Sequence, residues 1–216
     1  MEQSKLFADP PLDTLVFEHR ARNRGYRLIA GIDEAGRGAL AGPVVAAAVV
    51  LPIGVRIDGV DDSKKLSPET RERLFDVIMA QALRVGVGMA SAKVIDRINI
   101  LQATRLAMQE AVGKLSPQPD FLLIDGISRI ASPLPQQTIK KGDSLSLSIA
   151  AASIIAKVSR DRLMRELDLK HPGYGLAGHK GYGSASHMEA IRQLGPSPIH
   201  RLTFGGVKEH AACPSF

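Results

Sequence analysis

Leu28-Ile29-Ala30-Gly31-Ile32-Asp33-Glu34 and Pro43-Val44-Val45-Ala46-Ala47-Ala48-Val49-Val50-Leu51, separated by a turn holding Gly36, Gly38 and Gly42, decide the fold class. Each is a short, nearly unbroken apolar run, and the second is closed by Pro52 and Gly54. Runs of that length between turn residues read as buried strands rather than helices. Two strands joined by so short a loop are most simply an antiparallel pair.

Working outward, residues 1–27 are mixed and charged and read as a short helical lead-in. Ser67-Pro68-Glu69 opens a helix, with a capping oxygen, proline at the first position and an acid in the first turn. Arg84-Val85-Gly86-Val87-Gly88-Met89 alternates as a third strand, and helical patterning returns from Ala92 to Leu115 with a break expected near Asn99. Phe121-Leu122-Leu123-Ile124 is a central strand closed by Asp125-Gly126, and Gln137-Thr138-Ile139 a further strand. The longest helix runs from Ser146 to about Lys170; its small front half, with Ala150, Ala151 and Ala152, can lie close against a sheet. A short helix is expected near residues 185–194. Strands that first pair antiparallel and then alternate with helices give a mixed α/β sheet.

Asp33 and Glu34 are adjacent acids at the end of an apolar strand. Neighbouring strand residues point to opposite faces, so one carboxylate faces the core, which is costly without a partner charge or a metal. Asp125 ends a second apolar strand in the same way, and Asp143 follows Gly142 just ahead of the long helix. Taken alone, Asp143 reads equally as a helix cap. Four acids at the ends of apolar elements can converge on one sheet edge, where a hard divalent cation relieves their repulsion. The glycines of Gly36-Arg37-Gly38 allow close backbone approach to a sugar-phosphate. They form no dinucleotide fingerprint, because that loop opens a helix and this one precedes a strand. Lys64 and Lys65, on a loop at a helix start, suit phosphate contact or a solvated basic turn.

The chain of 216 residues carries a net charge of +6 and a pI near 9.6, a balance that favours polyanionic partners. From Lys140 onward eleven Lys and Arg face six Asp and Glu. There is no apolar run of about 18 residues to span a membrane. The first residues lack a signal-peptide pattern, and a single cysteine, Cys213, leaves nothing to staple, so the chain reads as cytoplasmic. Five of the six histidines follow residue 170 in a spacing that matches no compact zinc pattern, and surface and packing roles are expected of them.

Gly31-Ile32-Asp33-Glu34-Ala35-Gly36-Arg37-Gly38, Asp62-Ser63-Lys64-Lys65-Leu66, Asn99-Ile100-Leu101-Gln102-Ala103-Thr104, Ile124-Asp125-Gly126, Lys141-Gly142-Asp143 and His179-Lys180-Gly181-Tyr182 occur in this order. Together they closely resemble the bacterial ribonuclease HII family, from about Leu28 to Phe204. The resemblance implies a ribonuclease H-like fold: a five-stranded mixed sheet flanked by helices, with a helical C-terminal extension. The boundaries drawn on it are a lead-in (1–27), a catalytic core (28–170) and a C-terminal region (171–216) contributing to substrate binding. It implies an endonuclease that cuts the RNA strand of RNA–DNA hybrids and nicks 5′ of ribonucleotides embedded in duplex DNA, leaving 3′-hydroxyl and 5′-phosphate ends.

The family's metal-site acids fall on Asp33, Glu34, Asp125 and Asp143, implying hydrolysis with two Mg²⁺ or Mn²⁺ ions. In the partition expected here Asp33 serves both ions, Glu34 and Asp125 one, and Asp143 the other. Gly36, Arg37 and Gly38 fall on the motif that contacts the ribose 2′-OH, and Tyr182 on the junction-sensing tyrosine. Where the family usually has proline after that tyrosine, this chain has Gly183, which would free the loop. From the charge distribution, Lys64, Lys180, Lys157 and Arg160 are candidates for a phosphate track, with solvated surface the alternative for each. The partners implied are RNA–DNA hybrid and ribonucleotide-containing DNA duplex, with no membrane, no obligate protein partner, and nothing that demands more than a monomer. The rival readings are an ATP-dependent sugar or acetate kinase on a related fold, and a binding protein without chemistry.

Overall fold

The computed structural model describes residues 14–60, 63 and 66–211. Lys64, Lys65, Cys213 and the first thirteen residues of the lead-in therefore lie outside the described residues. The expected strands form one five-stranded sheet in the order β3-β2-β1-β4-β5. β1 (Ile29–Ala35) pairs antiparallel with β2 (Val44–Val50), and β2 antiparallel with β3 (Arg84–Ala90). On its other side β1 runs parallel to β4 (Phe121–Asp125), which is parallel to β5 (Gln136–Ile139). β2 is buried along its whole length, which explains a continuous apolar run rather than an alternating one.

Helices cover both faces. α3 (Ala92–Gly113) packs on one, where Ala103, Ala107 and Ala111 meet Ile32, Ala46 and Ile124. α2 (Pro68–Gln81) and α4 (Leu147–Lys170) pack on the other, through Leu74, Ile78, Ala151 and Ile155. α1 (Val16–Asn23) closes the β4–β5 end of that second face. The expected break in α3 is present: Asn99 has φ 66° and ψ 165°, and its side-chain oxygen accepts from Gln102 N at 3.1 Å to restart the helix. α4 lies directly on β1 because position 31 is glycine. A Cβ there would stand 2.1 Å from the carbonyl carbon of Ser148.

The C-terminal region adds α5 (Leu176–His179), a single turn not foreseen from the sequence, and α6 (Ala185–Leu194). They build a smaller core of their own from Tyr174, Leu176, Ile191 and Val207. It is sealed onto the β1–β2 turn by Leu40 and Ala41 and onto α4 by Met164.

Candidate active site

The parallel register of β1 and β4 brings the first three acids together. Ile32 stands beside Ile124, so one residue further Asp33 and Asp125 lie side by side, on the face covered by α4. β5 ends at Ile139 opposite Asp125, and the chain then forms a 3-10 turn, Gly142–Ser144, that carries Asp143. That turn is tied to the strand end by Gly142 N, which donates to Asp125 Oδ1 at 2.7 Å. Asp143 does not cap the long helix. Ser146 does, its hydroxyl accepting from Ile149 N at 3.3 Å.

Asp33 is 4% exposed. Burial, and then the charges of Glu34 and Asp125, hold its carboxyl well above the usual range, against stabilising bonds from Glu34 N–H and the Ser153 hydroxyl. Asp125 is raised as well, by burial first and then by the charge of Asp143, against bonds from the N–H groups of Gly142, Gly126 and Asp143. Like charges thus link all four acids into one cluster at the strand ends. Glu34 is balanced in part by Arg37, whose Nη1 lies 3.2 Å from Glu34 Oε1. Among the described residues no three His, Cys, Asp or Glu side chains close around a common point. The acids are gathered to one end of the sheet without forming a closed cage. A buried, mutually repelling set of carboxylate oxygens fits a hard divalent cation.

Above these acids opens a cavity of about 870 Å³. Asp33, Glu34 and Asp125 form its floor, Gly36, Arg37 and Gly38 one wall, and Tyr182 and Lys157 part of the rim, with Ile100 and Phe204 adding apolar surface. Asp143 and Lys180 do not line it. The ammonium of Lys180 donates to the carbonyl of Ala177 in its own loop, and Lys64 lies outside the described residues. Of the remaining phosphate-track candidates, Lys157 reaches the cavity and is paired with Asp161 at 2.7 Å.

Arg160 corrects the sequence reading. It is fully buried rather than offered to phosphate. Its guanidinium donates to the carbonyls of Pro43 (3.0 Å), Ala41 (3.1 Å) and Lys180 (2.9 Å). A second buried arginine, Arg201, donates to the carbonyls of Gly36 (2.7 Å), Arg37 (2.7 Å) and Gly42 (3.0 Å). Burial and the neighbouring charge of Arg160 push the Arg201 guanidinium down to about 9. Two arginines thus take the place of a regular hairpin in shaping residues 36–43. Glycine is required at 36, where φ is +92° and a Cβ would sit 1.9 Å from Arg160 Nε.

Tyr182 stands at the rim, 39% exposed, its ring 5.4 Å from the Arg160 guanidinium and 5.9 Å from Lys157 Nζ. Beside Gly183, the Tyr182 carbonyl accepts from Ser184 N at 2.8 Å and bonds His187 Nδ1 at 2.9 Å. His187 and His200 are buried against each other, Nε2 to Nε2 at 3.1 Å.

Sequence reasoning missed Ser153, Ser63, Arg201, His187 and His200. Ser63 and Ser153 share a hydrogen bond of 2.8 Å, which extends the bond from Ser153 to Asp33 as far as Ser63. A signal for Arg160 existed, because Ala156, Arg160 and Met164 follow at four-residue spacing along the buried stripe of α4. Arg201 sits in irregular chain, where no periodicity marks it.

A mixed sheet with acids at the ends of its two central parallel strands, an adjoining acidic turn and an open basic-rimmed cleft defines a nuclease of the ribonuclease H-like fold. The ribonuclease H2 of Pyrococcus horikoshii superposes with a TM-score of 0.70 at 28% identity, covering 85% of this chain and 96% of that one. The sequence profile of ribonuclease HII matches residues 30–207. The ribonucleases HII of Pelobacter propionicus and Geobacter sulfurreducens are 72% and 70% identical to this chain. Those matches cover 100% and 90% of this chain and 98% and 89% of the relatives. The chain belongs to the ribonuclease HII family, endonucleases that cleave the RNA of RNA–DNA hybrids.

Proposed function

We propose that this enzyme, besides cutting the RNA of long hybrids, nicks duplex DNA on the 5′ side of an embedded ribonucleotide, leaving 3′-hydroxyl and 5′-phosphate ends. The observation that carries the reading is the placing of buried Asp33, with Glu34 and Asp125, on the floor of a cavity walled by residues 36–38 and rimmed by Tyr182. Asp33, Glu34, Asp125 and Asp143 would hold two divalent cations, Mg²⁺ or Mn²⁺. Bound there, such ions supply an activated water and neutralise charge at the leaving 3′-oxygen.

The chain's own groups handle position and selection. Because the peptide unit is planar and trans, carbonyls of Gly36 and Arg37 drawn inward to Arg201 turn the N–H groups of Arg37 and Gly38 the opposite way. These N–H groups would donate to the ribose 2′-OH, which distinguishes RNA from DNA at this point. The Arg37 guanidinium, paired with Glu34, would steady that acid and face the phosphate. The Tyr182 ring would lie against the deoxyribose on the 3′ side of the cut, where an additional hydroxyl would crowd it. Lys157 would attract the backbone phosphates in place of Lys180, whose ammonium is turned into its own loop. The region from His171 onward would contribute to substrate binding through Tyr182 and, by way of Arg201, through the shape of the glycine loop.

The test is cleavage of a DNA duplex carrying one ribonucleotide, with Mg²⁺, Mn²⁺ or EDTA, wild type beside Asp33→Asn. The expected outcome is a metal-dependent 5′ nick that the variant loses by at least about 10³-fold, the scale of a deleted catalytic electrostatic group. Cutting confined to long hybrid would remove the junction reading and leave the hybrid nuclease.

A further inference from the structure

Behind the Tyr182 loop stand three imidazoles that the chemistry above does not use. The rings of His179 and His187 stack with centroids 4.2 Å apart, and His187 and His200 are tilted at 5.2 Å. The Tyr174 ring lies 4.8 Å from His200. The hydrogen-bond chain through the pair begins and ends on backbone groups that can play only one part, so the protons are ordered.

Ser197 N can only donate, and it lies 3.0 Å from His200 Nδ1. That nitrogen is therefore unprotonated, and neutral His200 carries its proton on Nε2. His200 Nε2 faces His187 Nε2 at 3.1 Å and donates to it. The proton of neutral His187 is then on Nδ1, 2.9 Å from the Tyr182 carbonyl oxygen, which can only accept. His179 is fixed by the same logic. Its Nδ1 accepts from Gly181 N at 3.2 Å, and its Nε2 donates to the Tyr174 carbonyl at 2.8 Å. A second proton on any of the three rings would set donor against donor. Burial keeps the pair in this state. His187 is lowered by burial first and by His179, and His200 is pushed down to about 4 by burial, His187, His171 and His179.

We propose that His187 and His200 are positioning residues for junction specificity: a neutral, polarised pair that grips the Tyr182 carbonyl and so sets the ring at the cavity rim. This rests on the role given to Tyr182 above. The turn is tight, with Tyr182 N donating to the His179 carbonyl at 3.0 Å. His179 holds the amide of Gly181 and His187 the carbonyl of Tyr182, so the backbone on both sides of the tyrosine Cα is restrained. A proline after the tyrosine would fix φ on that side. With Gly183 there, the grip on the Tyr182 carbonyl falls to Ser184 and the histidine pair.

Two amide substitutions separate positioning from packing. His187→Asn keeps an N–H donor where Nδ1 stands, while His187→Gln puts its amide against His200 and offers Tyr182 nothing. Both lose the ring, so both share its packing cost. The readout is the ratio of nicking at a single embedded ribonucleotide to cleavage of long RNA–DNA hybrid, with Tyr182→Ala as control. The ratio should fall on the order of tenfold in His187→Gln, the scale of one lost hydrogen bond. In His187→Asn it should stay within about twofold of wild type. Long-range ¹H–¹⁵N spectra of the wild type at pH 7 should show His187 protonated on Nδ1 and His179 and His200 on Nε2. A doubly protonated ring in the pair, or a reversed tautomer of His187, would overturn the relay. Equal ratios in the two His187 variants, with Tyr182→Ala lowering the ratio, would overturn the positioning role. A wild-type ratio in Tyr182→Ala would instead show that the reading of Tyr182 had failed, and the role of the pair with it.

Discussion

Asp33 shows how a residue proposed to hold cations can weigh against the empty fold. Its carboxyl is raised by burial and by Glu34 and Asp125, so the folded state holds the proton more tightly than the unfolded chain, whose Asp titrates near ~3.9. The native state then binds more protons between the two values, and stability from this group is full below the unfolded value. It is lost as pH rises through the folded one. At neutral pH, without cations, Asp33 therefore costs stability, and Asp33→Asn should melt higher than wild type by a few degrees, at ~2–4 °C per kcal/mol. Added Mn²⁺ should raise the melting temperature of wild type and leave the variant nearly unmoved. A variant that melts lower in EDTA would contradict this account of the site. Ser153→Ala should act in the opposite sense to Asp33→Asn on the empty protein, removing a bond that favours the charged carboxylate.

Among the elements, the meeting of α4 with β1 sets how close the long helix, and with it Ser153, Lys157 and Arg160, comes to the strand that bears Asp33. The sequence announced this contact through Ala150-Ala151-Ala152, and the structure adds Gly31 as its other half. Gly31→Ala forces a methyl into the backbone of Ser148. It should destabilise by at least ~1–3 kcal/mol, the usual cost of overpacking, with cleavage lost as the helix shifts from the strand end. Denaturant melts and single-turnover cleavage check this together. At the same end of that helix, Ser146 caps where Asp143 had an equal claim on residue type. Asp143 lies in a separate 3-10 turn, two residues before Leu145, where the chain leaves the helical path. Capping preference names residue types, and the path of the chain decides which of two neighbours is in place.

Over the whole molecule, the C-terminal region and the glycine loop are joined through a buried charge. Arg201 lies more than 150 positions from the carbonyls it binds, so Arg201→Met takes the guanidinium donors from the carbonyls of Gly36, Arg37 and Gly42. The loss should be about 2–4 kcal/mol of stability. Where the variant still folds, discrimination against an all-DNA duplex should weaken more than cation affinity, a comparison of cleavage and Mn²⁺ titration. The same scale carries the net charge of +6. Substrate affinity should fall steeply between 50 and 200 mM salt, roughly log-linearly, and a flat response would remove the electrostatic track assigned to Lys157 and its neighbours. No helix among the described residues is long and apolar enough to cross a membrane.

The order of strands and helices, the break at Asn99 and the placing of acids at the ends of apolar elements were legible in the sequence. Strand runs, caps and apolar periods are local consequences of backbone sterics and burial, and Asp33, Glu34 and Asp125 betrayed themselves as charges ending apolar strands. The tertiary structure alone decided which side chains those elements bring together. It turned Arg160 inward, recruited Arg201 and His200 from irregular chain, and set His200 against His187 of α6. It also aimed the Lys180 ammonium into its own loop. These contacts join residues far apart in sequence, and nothing in local spacing encodes which distant carbonyl a buried guanidinium or imidazole will meet. Only the packed chain, which must satisfy every polar group it hides, settles that.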